Sequence, residues 1–246
     1  MLYCYLSRLI HHRRLSDRQM ENDFTGGVRI MKVIGVGLAM QATMLAIVVS
    51  TAGYADDKGT AAFSEQELQG KLEYCQTCHG LSGQGFRGAV PMPRLAGQQT
   101  EYLENQLRAF IERRRTNPVM SNVAGALNPS MITALAAYFS ELNARPLEGA
   151  PKELVAKGKT IFDDGIPEAN IPACSACHGS DAKGHEEIPR LAGQLFPYTV
   201  KALTNWSKER GQSLAKADIS AIMAPTAHNL NQSQIAAIAA YVSTLK

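Results

Sequence analysis

The residues best suited to chemistry in this sequence occur in two copies of one short motif. Its members are Cys75, Cys78 and His79 in the first copy and Cys174, Cys177 and His178 in the second. The spacing Cys-x-x-Cys-His is that of a c-type haem attachment site. There the two thiols form thioethers with the porphyrin vinyl groups, and the imidazole becomes an iron ligand. The sequence therefore predicts two covalently attached haem c groups.

Other uses of the same residue types fit the sequence less well. A zinc site would need paired Cys-x-x-Cys elements at closer spacing. A thioredoxin-like dithiol would need a βαβ context, which the sequence lacks. A single copy of the motif could also arise by chance, whereas two copies with similar surroundings favour haem.

An iron that passes electrons without binding substrate needs a sixth ligand, and one methionine occurs at equivalent places in the two copies. Met120 and Met223 each precede a loop that ends in Leu-Asn and leads to the last helix of their repeat. We predict that they are the axial ligands opposite the two motif histidines. Other candidates lack a counterpart in the other repeat, and we interpret them as packing or surface residues: Met92, Met131, His185 and His228.

A ligating imidazole usually donates its second ring N–H to a fixed acceptor, which sets the ring orientation. The carbonyl groups of Pro93 and Pro189 are the expected acceptors, in the segment Pro-Arg-Leu-Ala-Gly-Gln that follows both motifs. Arg94 and Arg190 could pair with haem propionates, since guanidinium matches carboxylate geometry, or could point into solvent. The three arginines at 113–115 are expected to form a solvated helix end or, alternatively, part of a docking patch.

The recurrence of these segments in the same order indicates a tandem duplication. We predict a leader at 1–55, a first domain at 56–145, a linker at 146–151 and a second domain at 152–246. Proline and glycine mark the linker because they break helical patterns. Each repeat is of a size at which a protein-only core is marginal, so a buried macrocycle would supply apolar surface that each half lacks.

The leader is predicted to be an export signal. Met31 and Lys32 precede an apolar stretch and then small residues up to Ala55, which is the order of a secretory signal. We expect cleavage after Ala55, with an uncleaved membrane anchor as the alternative. Met31 is the alternative start to Met1. The fifth cysteine, Cys4, lies in this leader, so all remaining cysteines belong to the haem motifs.

Charge gives little information about partners. The leader carries 6 of the 25 basic and 3 of the 22 acidic residues, so the remaining chain carries 19 of each and no formal net charge. We expect no nucleic-acid partner.

The segments that position the motifs have helical patterns, and none predicts a strand. Helix N-caps are expected at Ser64, with Glu67 completing a capping box, and at Thr100, Asn128 and Asn231. These helices would deliver each motif and then close each repeat.

Two further features concern the helix that precedes each motif. Gly70 and Gly158 are each followed by lysine, and their lack of a side chain is expected to let Tyr138 and Tyr241 of the last helices cross closely.

The second repeat also inserts residues 162–171 before its motif and lengthens the segment 208–222. Both differences are interpreted as polar, loop-like insertions.

Together these residues resemble the dihaem class I cytochromes c, and most closely the cytochrome c4 family. The resemblance covers roughly residues 60 to 246 and rests on both haem motifs, both Pro-Arg-Leu-Ala-Gly-Gln segments and both methionine segments. It implies an all-α fold of two tandem class I cytochrome c domains, each with a covalently bound haem. The haems would lie near the contact between the domains.

The resemblance implies an electron carrier and not an enzyme, exported to the periplasm and possibly membrane-associated through the leader. Its expected partners are redox proteins: an upstream quinol-oxidising complex and a terminal oxidase. Histidine and methionine ligation predicts fairly positive potentials. The alternatives are the cytochrome subunit of a periplasmic dehydrogenase and, less favoured, a dihaem peroxidase, which would need one iron with an open sixth position.

Overall fold

The computed structural model describes residues 63–210 and 219–246. The predictions made for the leader, including the cleavage site and the start residue, lie outside these residues. So does part of the lengthened segment 208–222.

The described part of the chain is built from helices and connecting loops. In the first repeat these are α1 (Glu65–His79), α2 (Thr100–Ile111), α3 (Pro118–Gly125) and α4 (Pro129–Glu141). In the second they are α5 (Val155–Asp164), α6 (Ser175–His178), α7 (Phe196–Thr204), α8 (Trp206–Glu209), α9 (Met223–Asn229) and α10 (Gln232–Thr244). Short 3₁₀ turns lie at Lys152–Leu154, Pro167–Ala169 and Ile219–Ile222. Within 63–210 and 219–246 the only β pairing consists of isolated bridges, so the all-α prediction is confirmed.

Three of the four predicted helix caps are present. The Ser64 hydroxyl accepts from the Glu67 N–H at 3.2 Å, and the Glu67 carboxylate accepts from the Ser64 N–H at 2.7 Å, which forms a full capping box. Asn128 and Asn231 cap α4 and α10 through their side chains. The prediction for Thr100 is wrong, because Thr100 is the first residue of α2 and the preceding Gln99 makes no side-chain cap.

Each repeat has its own buried apolar core. The first comprises Leu72, Leu103, Met131, Leu135, Ala136 and Phe139. The second is larger and comprises Ile161, Phe162, Ile171, Ala182, Ala192, Leu230, Ile235, Ala237, Ile238, Tyr241 and Val242. Met131 is thus a packing residue, as predicted, and His185 and His228 are exposed, as predicted.

The two glycines before the motifs differ in their surroundings. A Cβ atom at Gly158 would lie 2.6 Å from the carbonyl carbon of Ala237 and 2.8 Å from Tyr241 Cβ, so α5 and α10 do cross closely there. At Gly70 no atom lies within 4 Å of such a position. The predicted close crossing is therefore confirmed in the second repeat and wrong in the first, where α1 stands away from α4 at this level.

The inserted segment of the second repeat is not a polar loop at its ends. Helix α5 continues through Phe162 to Asp164 and stops at Gly165, whose φ of 73° favours glycine. Phe162 is 0% and Ile171 1% exposed, and both belong to the core of the second repeat. The loop interpretation is wrong because two apolar residues anchor the insertion from either side.

Polar side chains join the two repeats. Arg115 donates to Gln106 Oε1 at 2.8 Å within the first repeat and to Tyr198 Oη at 2.8 Å in the second. Arg210 of the second repeat donates to the same Gln106 oxygen at 3.0 Å and to Tyr102 Oη at 3.3 Å. The prediction of a solvated arginine run is therefore wrong for Arg115, which is half-buried in this contact.

No helix of the described residues has both the length and the apolar character needed to cross a membrane.

Candidate functional site

The two motifs are presented by helices of different length. The first occupies the end of α1, a helix that starts at the Ser64 cap and runs unbroken to His79. The second occupies the one-turn helix α6, which follows the inserted segment. Both helices end at a glycine with positive φ, 84° at Gly80 and 79° at Gly179. A glycine is favoured there because other residues rarely adopt that backbone conformation.

The two motif histidines have the same local geometry. His79 is 7% and His178 4% exposed, and each ring Nδ1 lies 2.9 Å from a proline carbonyl oxygen, that of Pro93 and of Pro189 respectively. A carbonyl oxygen can only accept, so Nδ1 carries the proton and Nε2 keeps its lone pair for a metal. Burial lowers the pKa of both imidazoles, against a smaller opposing effect of the carbonyl. Burial therefore favours the neutral form of both rings, and the carbonyl fixes their orientation. In this form each Nε2 can act as a metal ligand.

None of the four motif cysteines forms a disulfide within the described residues. Cys75 and Cys174 are partly buried, while Cys78 and Cys177 are exposed. Burial raises the pKa of Cys75, and it raises the pKa of Cys174 to about 11. Reactive dithiols have lowered pKa values, so the surroundings of the first cysteine of each motif disfavour a redox dithiol.

The two predicted axial methionines lie on short helices and not in loops. Met120 is the third residue of α3, where its N–H is capped by Asn117 Oδ1 at 3.0 Å. Met223 is the first residue of α9. Both side chains are partly exposed, in contrast to the fully packed Met131. Equivalent positions in the two repeats thus carry methionines that the protein cores do not use.

The arginines that follow the two prolines, Arg94 and Arg190, lie at the contact between the repeats. Arg94 is 4% exposed, its Nε donates to the Ala96 carbonyl at 2.9 Å, and its buried Nη1 has no partner. Arg190 makes the equivalent bond to Ala192 at 3.0 Å. Burial, with a smaller contribution from the charge of Arg190, lowers the pKa of Arg94 to about 10. The solvated alternative is therefore wrong for Arg94, and its orphaned N–H suits an anionic group such as a carboxylate.

A cleft of about 910 Å³ opens beside the first motif. It lies between α1, α3 and the start of α4, and its lining includes Gly70, Tyr74, Cys75, Val123 and Leu127. Its lining also includes the polar side chains of Glu67, Lys71 and Asn122, and it does not include His79 or Met120. The fit to a covalently bound haem therefore rests on the neutral buried histidines, the motif cysteines and the orphaned guanidinium, and not on this cleft.

Two glutamines were missed by the sequence reasoning. Gln98 binds the backbone of Arg190 in the other repeat, and Gln194 binds the backbone of Arg94. A signal was available, because both glutamines end the repeated Pro-Arg-Leu-Ala-Gly-Gln segment. This repetition indicates that the two glutamines share a role. It does not indicate that the partner of each one lies in the other repeat, about a hundred residues away along the chain.

Comparison with known proteins agrees with this geometry. The model of the cytochrome c family matches residues 57–143 and 155–246, so that each match contains one haem motif. Cytochrome c4 of Thiocapsa roseopersicina is 35% identical over 175 residues, which cover 70% of this chain and 86% of that protein. The thiosulfate dehydrogenase electron acceptor of Thiomonas intermedia is 39% identical over 135 residues, 54% of this chain and 62% of that protein.

A solved structure supports the same assignment. Cytochrome c4 of Acidithiobacillus ferrooxidans superposes with a TM-score of 0.59 at 35% identity, over 70% of this chain and 99% of that chain. The similarity therefore extends over both repeats in sequence and in fold.

Proposed function

The chain belongs to the cytochrome c4 family of dihaem electron-transfer cytochromes, and we propose that it relays electrons between periplasmic or membrane redox partners, toward a terminal oxidase. The observation that carries this proposal is the repeated histidine geometry: two buried, neutral imidazoles, each fixed by a proline carbonyl at 2.9 Å. Two ligand sets of the same kind in one chain suit electron relay.

We assign the ligands as the sequence predicted them. Cys75 and Cys78 would hold one haem and Cys174 and Cys177 the other, with His79 and Met120 as iron ligands of the first and His178 and Met223 of the second. Bound haem supplies a one-electron couple between ferric and ferrous iron. Methionine ligation would raise the potential and would keep the iron closed to substrates. This closure is what separates a carrier from the rival peroxidase function.

The surrounding residues have supporting roles in this proposal. Pro93 and Pro189 fix the histidine rings, and a fixed acceptor also sets ligand basicity. Arg94 and Arg190 stand next to those prolines, and the unpartnered Nη1 of Arg94 supports a propionate contact there. Such a contact would compensate the cost of burying a guanidinium.

We further propose that the relay is built from two domains, 56–145 and 152–246, joined by the linker 146–151. The residues 142–151 form no helix in the structure, and each side of them has its own core. The leader at 1–55 supports export to the periplasm, because its basic, apolar and small residues follow the order of a secretory signal.

A second candidate function is electron acceptance from a periplasmic dehydrogenase. It is favoured by the similarity to a thiosulfate dehydrogenase electron acceptor. The two directions are distinguished by kinetics. Rapid oxidation of the ferrous protein by oxidase-containing membranes favours the first, whereas rapid reduction of the ferric protein by thiosulfate together with its dehydrogenase favours the second.

The ligand assignment is tested by removing each methionine from the haem-loaded protein. Met120→Ala and Met223→Ala should each remove about half of the methionine–iron charge-transfer absorption and open one haem to cyanide. Met131→Leu is the matched control, because Met131 is 4% exposed and packs in the first core. An unchanged charge-transfer band in either alanine variant would show that another residue is the sixth ligand, and high-spin iron in the unmodified protein would contradict the carrier function.

A further inference from the structure

Each repeat positions the axial histidine of the other through a buried glutamine. We infer that Gln194 acts on His79 and that Gln98 acts on His178, so that each repeat adjusts the potential of the haem held by its neighbour. This inference rests on the proposed function, because it takes the two histidines to be iron ligands.

In the first repeat a single peptide group joins the histidine to the glutamine. The carbonyl oxygen of Pro93 accepts from His79 Nδ1 at 2.9 Å, and the N–H of the next residue, Arg94, donates to Gln194 Oε1 at 2.8 Å. That oxygen and that N–H are the two ends of the same Pro93–Arg94 peptide. The Gln194 amide then donates back to the Arg94 carbonyl at 3.1 Å.

The same connection occurs in the other direction. The Pro189 carbonyl accepts from His178 Nδ1 at 2.9 Å, and the Arg190 N–H donates to Gln98 Oε1 at 2.7 Å. The Gln98 amide donates back to the Arg190 carbonyl at 3.0 Å. A glutamine that only joined the two repeats could bind any exposed peptide group of the other repeat. In both repeats it binds the peptide group whose carbonyl accepts from the axial histidine.

The orientation of both amides is fixed by their donors. Gln98 Oε1 also accepts the N–H of Gln99 at 2.9 Å, and Gln194 Oε1 that of Leu195 at 3.0 Å. Because backbone N–H groups only donate, each amide must turn its oxygen toward them. The glutamines are 6% and 8% exposed, so water competes little for these bonds.

The chemical consequence follows from cooperativity between hydrogen bonds. A peptide whose N–H donates to an acceptor has a more strongly polarised carbonyl, and this carbonyl binds the imidazole N–H more tightly. The imidazole then becomes a more basic ligand, which favours ferric iron and lowers the potential. Loss of the glutamine should therefore raise the potential of the haem in the opposite repeat.

The test uses Gln194→Leu and Gln98→Leu in the full-length haem-loaded protein. We expect the Nδ1–H signal of His79 to move upfield in Gln194→Leu, with His178 unaffected, and the reverse in Gln98→Leu, as measured by ¹⁵N-edited NMR of the ferrous protein. One of the two potentials should rise in each variant, by at most the ~59 mV of a tenfold change in a one-electron equilibrium constant. The two variants should move different potentials.

The matched control is Gln99→Leu. Gln99 also crosses between the repeats, donating to the Lys183 carbonyl at 2.9 Å, but it does not bind the Arg190 or Arg94 peptide. Gln99→Leu should therefore leave the Nδ1–H signals of both His79 and His178 unshifted. If Gln194→Leu does not fold, Gln194→Asn keeps the amide but is too short to reach the Arg94 peptide, and it should give the same crossed shift.

The outcomes separate this inference from the proposed function. A normal two-haem, low-spin spectrum with both histidine signals unchanged, or shifted equally in all three leucine variants, would overturn the crossed positioning and leave the carrier function standing. Absence of a haem-bound histidine signal in the unmodified protein would instead contradict the ligand assignment itself.

Discussion

The two repeats hold the same motif in differently packed surroundings. In the first repeat one long helix, α1, carries the motif, while Gly70 faces open space and Tyr74 is 59% exposed. In the second repeat the equivalent helix, α5, is separate from the motif, Gly158 lies against α10, and Phe162 is 0% exposed. The histidine and its proline acceptor are nevertheless placed alike, so this local geometry does not depend on how the preceding helix packs.

This difference changes how much apolar surface the helix before each motif buries against the last helix of its repeat. In the second repeat Phe162 of α5 packs beside Tyr241 of α10, with ring centroids 5.4 Å apart. The first repeat leaves a cleft of about 910 Å³ at the corresponding side of α1. The first helix of the second repeat therefore contributes more buried apolar surface to its core than α1 contributes at this level of the first repeat.

The largest expected change in the free energy of unfolding comes from truncating the aromatic residue that stands four positions after each helix glycine, Tyr74 in the first repeat and Phe162 in the second. Phe162→Ala should lower the free energy of unfolding by about 3 to 5 kcal/mol, as for other buried phenylalanines. Tyr74→Ala should change it by less than about 0.5 kcal/mol, because the side chain is exposed. Denaturant titration of the haem-loaded variants measures both. Equal losses at the two positions would contradict the unequal packing of the repeats.

Alanine substitution at Gly158 and at Gly70 should change the free energy of unfolding by smaller amounts and in opposite directions. Gly158→Ala should destabilise the protein by about 1 to 3 kcal/mol, since the added methyl group forces α5 away from the Ala237 backbone. Gly70→Ala should stabilise it by about 0.5 to 1 kcal/mol, because the site is open and alanine favours the helix. The midpoints of thermal or denaturant unfolding give both signs. Destabilisation by Gly70→Ala would mean that α1 packs as closely as α5 does.

The sequence predicted these elements well wherever the determining interactions are local. The Ser64–Glu67 capping box and the Asn231 N-cap each involve residues within four positions of one another, and both are present as predicted. The proline acceptors were also predictable, because their segment is repeated. Thr100 failed as a cap since residue type alone does not decide which residue precedes the first helical turn.

The remaining errors concern contacts between distant residues. The two helix glycines look equivalent in sequence, yet what faces each one is set by how its helix packs against the last helix of the repeat. Phe162 and Ile171 were assigned to a loop because burial depends on partners such as Tyr241 rather than on neighbours in the chain. Arg115 and the two interface glutamines were missed or misread for the same reason, since their partners lie in the other repeat.

The smallest effect should be the same in both repeats, and it tests whether their difference lies in packing alone. Ser64→Ala removes the side-chain acceptor of the Glu67 N–H, and Asn231→Ala removes that of the Gln234 N–H at 3.0 Å. Each should cost about 1 kcal/mol of the free energy of unfolding, measured by denaturant titration. The two caps are exposed and built alike, so their losses should agree even though the helices behind them pack differently. A much larger loss for Asn231→Ala would show that the tighter packing of α10 also amplifies the contribution of its cap.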